Sequence, residues 1–133
     1  MTKVLVSDPV DKAGIDILSQ VAQVDQLTGL SPEKLRSIIG SYDALMIRSG
    51  TQVTADVIEA AKKLRIIGRA GVGVDNVDVP AATKRGVLVV NSPEGNTIAA
   101  AEHSLAMLLA LSRHIPQAHA STISGGWDRK KYV

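Results

Sequence analysis

The chain alternates short apolar runs with longer segments in which apolar residues recur at helical spacing. Short runs rich in Val, Ile and Leu are typical of buried strands, and the longer segments are typical of amphipathic helices. The pattern predicts strands over residues 3–7, 22–27, 44–47, 65–69 and 87–90. Because strands that alternate with helices form parallel sheets, we expect an α/β fold with a doubly wound, five-stranded parallel sheet. A flavodoxin-like strand order is the leading prediction.

Residues that favour helix ends punctuate the segments between the predicted strands. Asp8 followed by Pro9 predicts a helix that Asp8 caps, with proline in its first turn. Ser31 and Thr54 give the same capping signal for the next two helices. Gly86 predicts the end of a short fourth helix, because glycine adopts the left-handed backbone that closes helices.

The segment 97–112 predicts one long helix that is apolar on almost every side. A helix of this kind must be covered on most of its surface, by more than the preceding sheet can supply. We therefore expect another domain or another subunit against it. This divides the chain into a sheet-containing domain, 1–96, and a second part, 97–133, that begins with the long helix.

Composition narrows the class of protein further. Of the 133 residues, 45% are hydrophobic and 2% aromatic, the net charge is +2, and cysteine is absent. Nucleic-acid binding would require clustered bases and stacking aromatic residues, so we expect no nucleic-acid partner. A disulfide framework and a thiolate metal site are excluded. No apolar run resembles a signal peptide or a membrane span, and the cytoplasm is the expected location.

Three loops that follow predicted strands carry groups suited to binding anions. Ligands of doubly wound sheets bind beyond the carboxyl ends of the strands, which is where these loops begin. Guanidinium groups and glycine-exposed backbone N–H groups both bind carboxylates or phosphates. For each residue taken alone, a solvated charge or a simple turn is the alternative. The loops contain Arg48 and Ser49, then Arg69 with Gly71, Val72 and Gly73, then Asn91 with Ser92.

Other chemistries fit the sequence poorly. The Gly71-Val72-Gly73 segment resembles a dinucleotide fingerprint, but Asn76 stands where the third glycine is required. The three histidines show no metal-ligand spacing. A phosphoacceptor receiver domain has the same alternating architecture, but Arg48 stands at the position of its acceptor aspartate. An arginine cannot form an acyl phosphate, so that alternative is rejected.

Four blocks of the sequence resemble the NAD-dependent D-2-hydroxyacid dehydrogenases, and within them most closely the D-3-phosphoglycerate dehydrogenases. They are MIRS at 46–49, IIGRAGVGVDNVD at 66–78, NSPEGNT at 91–97 and WDRKK at 127–131. The blocks span the chain in the order and spacing of that group. The resemblance implies oxidation of 3-phosphoglycerate to 3-phosphohydroxypyruvate with NAD, in serine biosynthesis. It also implies that 1–96 is the substrate-binding domain.

The resemblance assigns roles to residues in the first part of the chain. Arg48, with Ser49 beside it, and Arg69 would hold anionic groups of a phosphorylated 2-hydroxy acid. Backbone N–H groups around Gly71 and Gly73 would receive its carboxylate. Val72 would approach the nicotinamide side of NAD.

The resemblance also concerns the second part. Asn96 would lie at a hinge near substrate and cofactor, and Arg129 would reach the substrate, in some relatives across a dimer. The helix 97–112 would cross between domains and form a homo-oligomer. The glycine loop for NAD and the catalytic arginine, glutamate and histidine of the family would all lie beyond residue 133. We therefore expect an inactive amino-terminal piece of a dehydrogenase, the alternative being a short non-catalytic protein that binds small anions or pairs with a full-length subunit.

Overall fold

The computed structural model describes residues 1–132, and the chain divides into two compact units, Met1–Gly95 and Asn96–Val133. The first unit contains a five-stranded, wholly parallel sheet in the order β2-β1-β3-β4-β5. The predicted α/β class and flavodoxin-like order are confirmed. The strands are β1 Lys3–Val6, β2 Gln23–Gln26, β3 Ala44–Ile47, β4 Ile66–Arg69 and β5 Leu88–Asn91, and the helices are α1 Lys12–Ser19, α2 Pro32–Ile38, α3 Ala55–Ala60 and α4 Val79–Lys84.

Alternation along β1 divides the core between the two faces of the sheet. Leu5 is fully buried on the face covered by α2, α3 and α4, in one cluster with Ile58 and Ile67. Val4 and Val6 point to the opposite face, where they pack with Ile15 of α1. Successive strand residues point to opposite faces, so a single run of apolar residues serves both layers.

The helix ends follow the predicted caps at Ser31 and Gly86, but Asp8 and Thr54 make no capping hydrogen bond. The Ser31 hydroxyl accepts a hydrogen bond from the Lys34 N–H at 3.2 Å and opens α2 as expected. Asp8 does not cap α1; that helix begins at Lys12, and the Asp11 carboxylate accepts from the Ala13 N–H at 2.8 Å. The prediction was wrong because the Asp8 carboxylate is occupied by another loop, described below.

Smaller differences have equally local causes. Thr54 precedes α3, but its side chain makes no capping hydrogen bond. Strand β5 begins one residue later than predicted, because the N–H of Val87 donates to the carbonyl of Ala82 in α4 at 2.9 Å. Gly86 ends α4 in the left-handed conformation that its position required, with φ of 69°.

The second unit contains the predicted long helix, α5, over Thr97–Ser112. A further helix, α6 over Ile115–Ile123, follows, and a 3₁₀ turn spans Arg129–Tyr132. The apolar pattern did not predict α6. None of the α5 side chains is buried in the described structure, although most are apolar. Across residues 1–132, every helix is too short or too polar to cross a membrane.

Candidate functional site

The residues singled out in the first unit lie at one edge of the sheet. The register aligns Ile47, Arg69 and Asn91 across the adjacent strands β3, β4 and β5. The loops that follow these strands therefore leave the sheet side by side. Strand β1 lies on the other side of β3, so Ser7 and Asp8 reach the same edge. The strand order reverses between β1 and β3, and such a switch point is where ligands of these sheets bind.

Asp8 holds the loop that follows β3. Its Oδ2 accepts hydrogen bonds from the backbone N–H groups of Arg48 at 2.7 Å and Thr51 at 3.0 Å. Its Oδ1 accepts from the Thr51 hydroxyl at 2.9 Å, and that hydroxyl also lies 2.9 Å from the Ser7 hydroxyl. The carboxylate is buried. Asp8 is thus a structural clamp whose importance the sequence analysis missed; an acid directly after the first strand was the signal.

Arg48 and Ser49 remain exposed at the tip of that loop. The Arg48 guanidinium donates through Nη1 to the carbonyl of Pro9 at 3.3 Å, a long hydrogen bond. Its backbone is held firmly while its charged group is accessible. This arrangement suits a side chain that meets an anionic ligand from solvent.

Arg69 is oriented far more tightly. Its side chain is only 11% exposed, and its Nε donates to Oδ1 of Asn76 at 2.7 Å. Its Nη2 lies 3.7 Å from Oδ1 of the exposed Asp75, an ion pair too open to solvent to contribute much. Asn76 is buried and donates through Nδ2 to the carbonyl oxygens of Arg48 and Thr51, both at 2.7 Å. Asn76, dismissed in the sequence analysis as a failed fingerprint position, joins the two arginine loops.

The glycines leave room for the Arg69 guanidinium. A Cβ on Gly71 would lie 2.7 Å from Nη1 of Arg69, and a Cβ on Gly73 would lie 2.7 Å from Oδ1 of Asp75. The N–H of Gly71 is already used, since it donates to the carbonyl of Arg69 at 2.9 Å. Within the described residues, the N–H groups of Val72 and Gly73 have no such partner. These two N–H groups, rather than that of Gly71, are open to a ligand.

The loop after β5 supports the glycine segment from the side. Asn91 donates through Nδ2 to the carbonyl of Val72 at 2.6 Å, and the Ser92 N–H donates to the carbonyl of Gly71 at 3.0 Å. Asn96 and Arg129 belong to the second unit, where both are exposed. Their participation in a site with Arg48 and Arg69 stays a prediction.

The arrangement can bind an anion, and its carboxylates are already engaged, since Asp8 holds the loop after β3 and Asp75 faces Arg69. The Arg69 guanidinium lies beside the segment with the two open N–H groups, Arg48 follows the adjacent strand, and none of the loops carries a histidine. Within residues 1–132, no group of histidines and carboxylates is placed to hold a metal ion.

The same loops do not fit the pyrophosphate of a dinucleotide. The third glycine position is filled by the buried, fully bonded Asn76. The following helix, α4, has six residues, and its first turn is capped by the Asp78 carboxylate, which accepts from the Ala81 N–H at 2.9 Å. A pyrophosphate needs open N–H groups at a helix start. Val72 is 39% exposed, and its contact with a nicotinamide stays a prediction.

A doubly wound parallel sheet with cationic and N–H groups at its carboxyl edge suits a small anionic ligand. Residues 4–124 match the family model of the D-isomer specific 2-hydroxyacid dehydrogenase catalytic domain. The chain belongs to the D-isomer specific 2-hydroxyacid dehydrogenase family.

Named relatives refine the comparison. The chain is 62% identical, over 133 residues, to the D-3-phosphoglycerate dehydrogenase of Synechocystis sp., covering 100% of this chain and 24% of that protein. It is 52% identical, over 132 residues, to the D-3-phosphoglycerate dehydrogenase of Methanocaldococcus jannaschii, covering 99% and 25%. Among solved structures, it is similar to the NAD⁺-bound 3-phosphoglycerate dehydrogenase of Entamoeba histolytica, with a TM-score of 0.72 and 26% identity over 82% of this chain and 38% of that one. The chain thus spans about a quarter of the length of these curated relatives.

Proposed function

We propose that this chain is the amino-terminal, substrate-holding part of an NAD-dependent D-3-phosphoglycerate dehydrogenase. The complete enzyme would oxidise 3-phosphoglycerate to 3-phosphohydroxypyruvate, in the cytoplasm, for serine biosynthesis. One observation carries the proposal: Arg48 and Arg69 are tied to one edge of the sheet through Asn76. The high identity to proteins named as D-3-phosphoglycerate dehydrogenases supports the choice of substrate.

The proposed substrate carries two anionic groups that match this edge. Arg69 and the N–H groups of Val72 and Gly73 would bind the carboxylate, next to the carbon that is oxidised. The exposed Arg48 would bind the phosphate, with Ser49 beside it. A guanidinium group can donate two parallel charge-assisted hydrogen bonds to one carboxylate or phosphate, and this bidentate contact fixes the orientation of the anion. The substrate would thereby be held with its hydroxyl-bearing carbon facing away from the sheet.

NAD, when bound, would supply the hydride acceptor. Val72 would face its nicotinamide end, and the rest of its site, like the general acid–base, would come from chain that the described residues do not include. The domains predicted from the sequence, 1–96 and 97–133, would then be the substrate-binding domain and the start of the link to the nucleotide-binding domain. Asn96 would act at the hinge, Arg129 would reach the substrate, and the helix 97–112 would form a homo-oligomer.

The first prediction is that the isolated 133-residue chain does not turn over 3-phosphoglycerate. Hydride transfer requires a bound nicotinamide and a positioned acid–base, which these loops lack. The measurement is NADH absorbance with NAD and 3-phosphoglycerate. Sustained turnover by a pure sample would contradict it. Sequencing past the codon for Val133 is the companion test: a continuing frame with a glycine-rich loop supports the proposal, and a stop codon supports the short anion-binding alternative.

The second prediction is that Arg48→Ala in the complete enzyme weakens substrate use. A charge-assisted contact contributes about 1.5–3 kcal/mol, so kcat/KM for 3-phosphoglycerate should fall roughly ten- to a hundredfold. Arg48→Lys should retain only part of the kcat/KM that Arg48→Ala loses, because an ammonium group cannot form the bidentate contact of a guanidinium group. The KM for NAD is the internal control and should change little. Unchanged substrate kinetics in a folded Arg48→Ala enzyme would reject the assignment, and an equal loss of NAD affinity would place Arg48 in the wrong half of the site.

A further inference from the structure

We infer that Asn76 is a positioning residue: it sets the orientation of the Arg69 guanidinium and fixes the spacing between the Arg48 and Arg69 loops. The inference deepens the proposed function and rests on it where it concerns the substrate. The sequence pattern alone does not assign this role to Asn76. It indicates only that Asn76 stands where a dinucleotide fingerprint would require glycine.

The Asn76 side chain uses all of its polar atoms in these contacts. Its Oδ1 accepts from Nε of Arg69, and its Nδ2 donates to the carbonyl oxygens of Arg48 and Thr51, all at 2.7 Å. The residue is 4% exposed, so water does not compete for these bonds. Buried polar groups with every partner satisfied rigidify the structure around them.

Only a primary amide of this length meets all three requirements. Two acceptors face Nδ2 and one donor faces Oδ1, so the site demands two hydrogens on one atom and none on the other. An aspartate would keep the acceptor for Arg69 but would place an oxygen against two carbonyl oxygens. A glycine, which the dinucleotide fingerprint requires here, would leave three polar groups without partners.

The contact with Nε decides where the rest of the Arg69 guanidinium points. With Nε held by Asn76, Nη1 lies over the glycine segment, since a Cβ on Gly71 or Gly73 would lie 2.7 Å or 3.7 Å from it. The open N–H groups of Val72 and Gly73 belong to that segment. Asn76 therefore places Nη1 beside the segment that carries the two N–H groups, where one anion could contact both.

The contacts with the carbonyls fix the second arginine relative to the first. The Arg48 backbone is held from both sides, its N–H by Asp8 at 2.7 Å and its carbonyl by Asn76 at 2.7 Å. The two loops are thereby locked to one another before any ligand arrives. A substrate with two anionic groups needs this fixed spacing, because preorganised binding groups avoid the cost of ordering them during association.

The kinetic test uses the complete dehydrogenase encoded by the reading frame that contains this chain. Asn76→Ala should raise the KM for 3-phosphoglycerate by about tenfold or more, because a misplaced binding group loses much of its contribution. The KM for NAD should stay within about twofold, since the affected contacts are those of the substrate. Asn76→Asp, which keeps the acceptor for Nε, should give an intermediate rise in KM.

A double-mutant cycle separates positioning from general destabilisation. Arg69→Lys keeps a positive charge but has no Nε, so Asn76 has nothing to orient. In that background Asn76→Ala should raise the KM by a clearly smaller factor than in the wild type, because only its contacts with the carbonyls of Arg48 and Thr51 remain to be lost, whereas independent effects would multiply. Tyr42→Phe is the matched control: it removes a 2.9 Å hydrogen bond to Asp25 at another part of the sheet and should leave the KM unchanged. Equal losses in both backgrounds would overturn the inference.

A second readout uses the 133-residue chain itself and needs no activity. In nitrogen-15 NMR spectra the Arg69 Nε–H should exchange slowly with water, and Asn76→Ala should abolish that protection. If the Arg69 Nε–H stays protected in Asn76→Ala, the inference is overturned. It is also overturned if the protection is lost but the KM for 3-phosphoglycerate does not change. If the wild-type enzyme does not use 3-phosphoglycerate, the proposed function fails, and the NMR result still decides whether Asn76 orients Arg69. If Asn76→Ala does not fold, the KM of Asn76→Asp decides: an intermediate rise supports the inference, and an unchanged KM overturns it.

Discussion

Individual buried polar residues lie at the edge of the sheet that carries the candidate site. Among the described residues, the buried polar or charged side chains are Ser7, Asp8 and Asn76, and all of them lie at the carboxyl edge of the sheet. Burial of a polar group is unfavourable unless its hydrogen bonds are made, and each of these side chains is hydrogen-bonded. They hold the loops that carry Arg48 and Arg69. The other buried residues have hydrophobic side chains, and most of them need no hydrogen-bond partner.

Asp8→Ala tests the clamp at this scale. The substitution leaves the N–H groups of Arg48 and Thr51 without their acceptor, so the free energy of unfolding should fall by about 2–4 kcal/mol. The measurement is urea denaturation of the chain. Asp16→Ala is the matched control, because Asp16 makes bonds of 2.6–2.7 Å to Lys12 on an exposed surface. That change should cost less than about 0.5 kcal/mol. Equal losses for the two variants would contradict the assignment of Asp8.

At the scale of secondary-structure elements, two glycines have equal steric room but different backbone conformations. A Cβ built on Gly14 or on Gly86 would meet no atom within 4 Å. Gly14 lies inside α1, where the backbone is right-handed and glycine is a poor residue. Gly86 ends α4 with φ of 69°. A residue with a side chain is strained in this left-handed backbone conformation, even where there is steric room for the side chain. Steric room alone therefore does not decide which glycine is required.

Alanine at these two positions should change stability in opposite directions. Gly14→Ala should raise the free energy of unfolding by roughly 0.5–1 kcal/mol, by reducing the freedom of the unfolded chain and favouring the helix. Gly86→Ala should lower it by about 1–2 kcal/mol, because alanine must enter the left-handed region. Thermal and urea unfolding of both variants provide the measurement. Changes of the same sign would show that backbone conformation is not the deciding factor.

At the scale of the whole molecule, α5 leaves a large apolar surface without a described partner. Its leucines at 105, 108, 109 and 111 are 59–74% exposed. A contiguous apolar surface of this kind on a monomer usually marks an interaction site. The apolar helix is consistent with the proposed homo-oligomer through residues 97–112.

Self-association is the corresponding prediction. Analytical ultracentrifugation of the chain at micromolar concentration should detect dimers or larger species. Leu105→Glu combined with Leu109→Glu, one turn apart on the same stripe of α5, should shift the population towards monomer, because charge on an apolar interface is costly to bury. Ile17→Glu, at a residue of α1 that is 64% exposed, is the control and should have no effect. A clean monomer that binds no hydrophobic dye would contradict the prediction.

The sequence by itself determined the elements and most of the candidate ligand-binding groups. Apolar periodicity and turn residues are local signals, and they predicted the five strands and the start of α2, while the flavodoxin-like order followed from the winding rules of parallel sheets. The arginines and glycines after the strands could be placed at one edge because parallel strands end together. The composition of 97–112 likewise predicted a helix that requires a covering partner.

Only the tertiary structure decided how those groups are held. The partners of Asp8 are 40 and 43 positions away in sequence, and those of Asn76 are 7, 25 and 28 positions away. No local periodicity encodes such pairings. From the sequence alone, Asp8 was therefore interpreted as a helix cap, and Asn76 only as a residue in place of a fingerprint glycine. The side-chain hydrogen bonds form only after β1, β3 and β4 are neighbours, because a buried donor or acceptor is satisfied by whatever the fold brings to it.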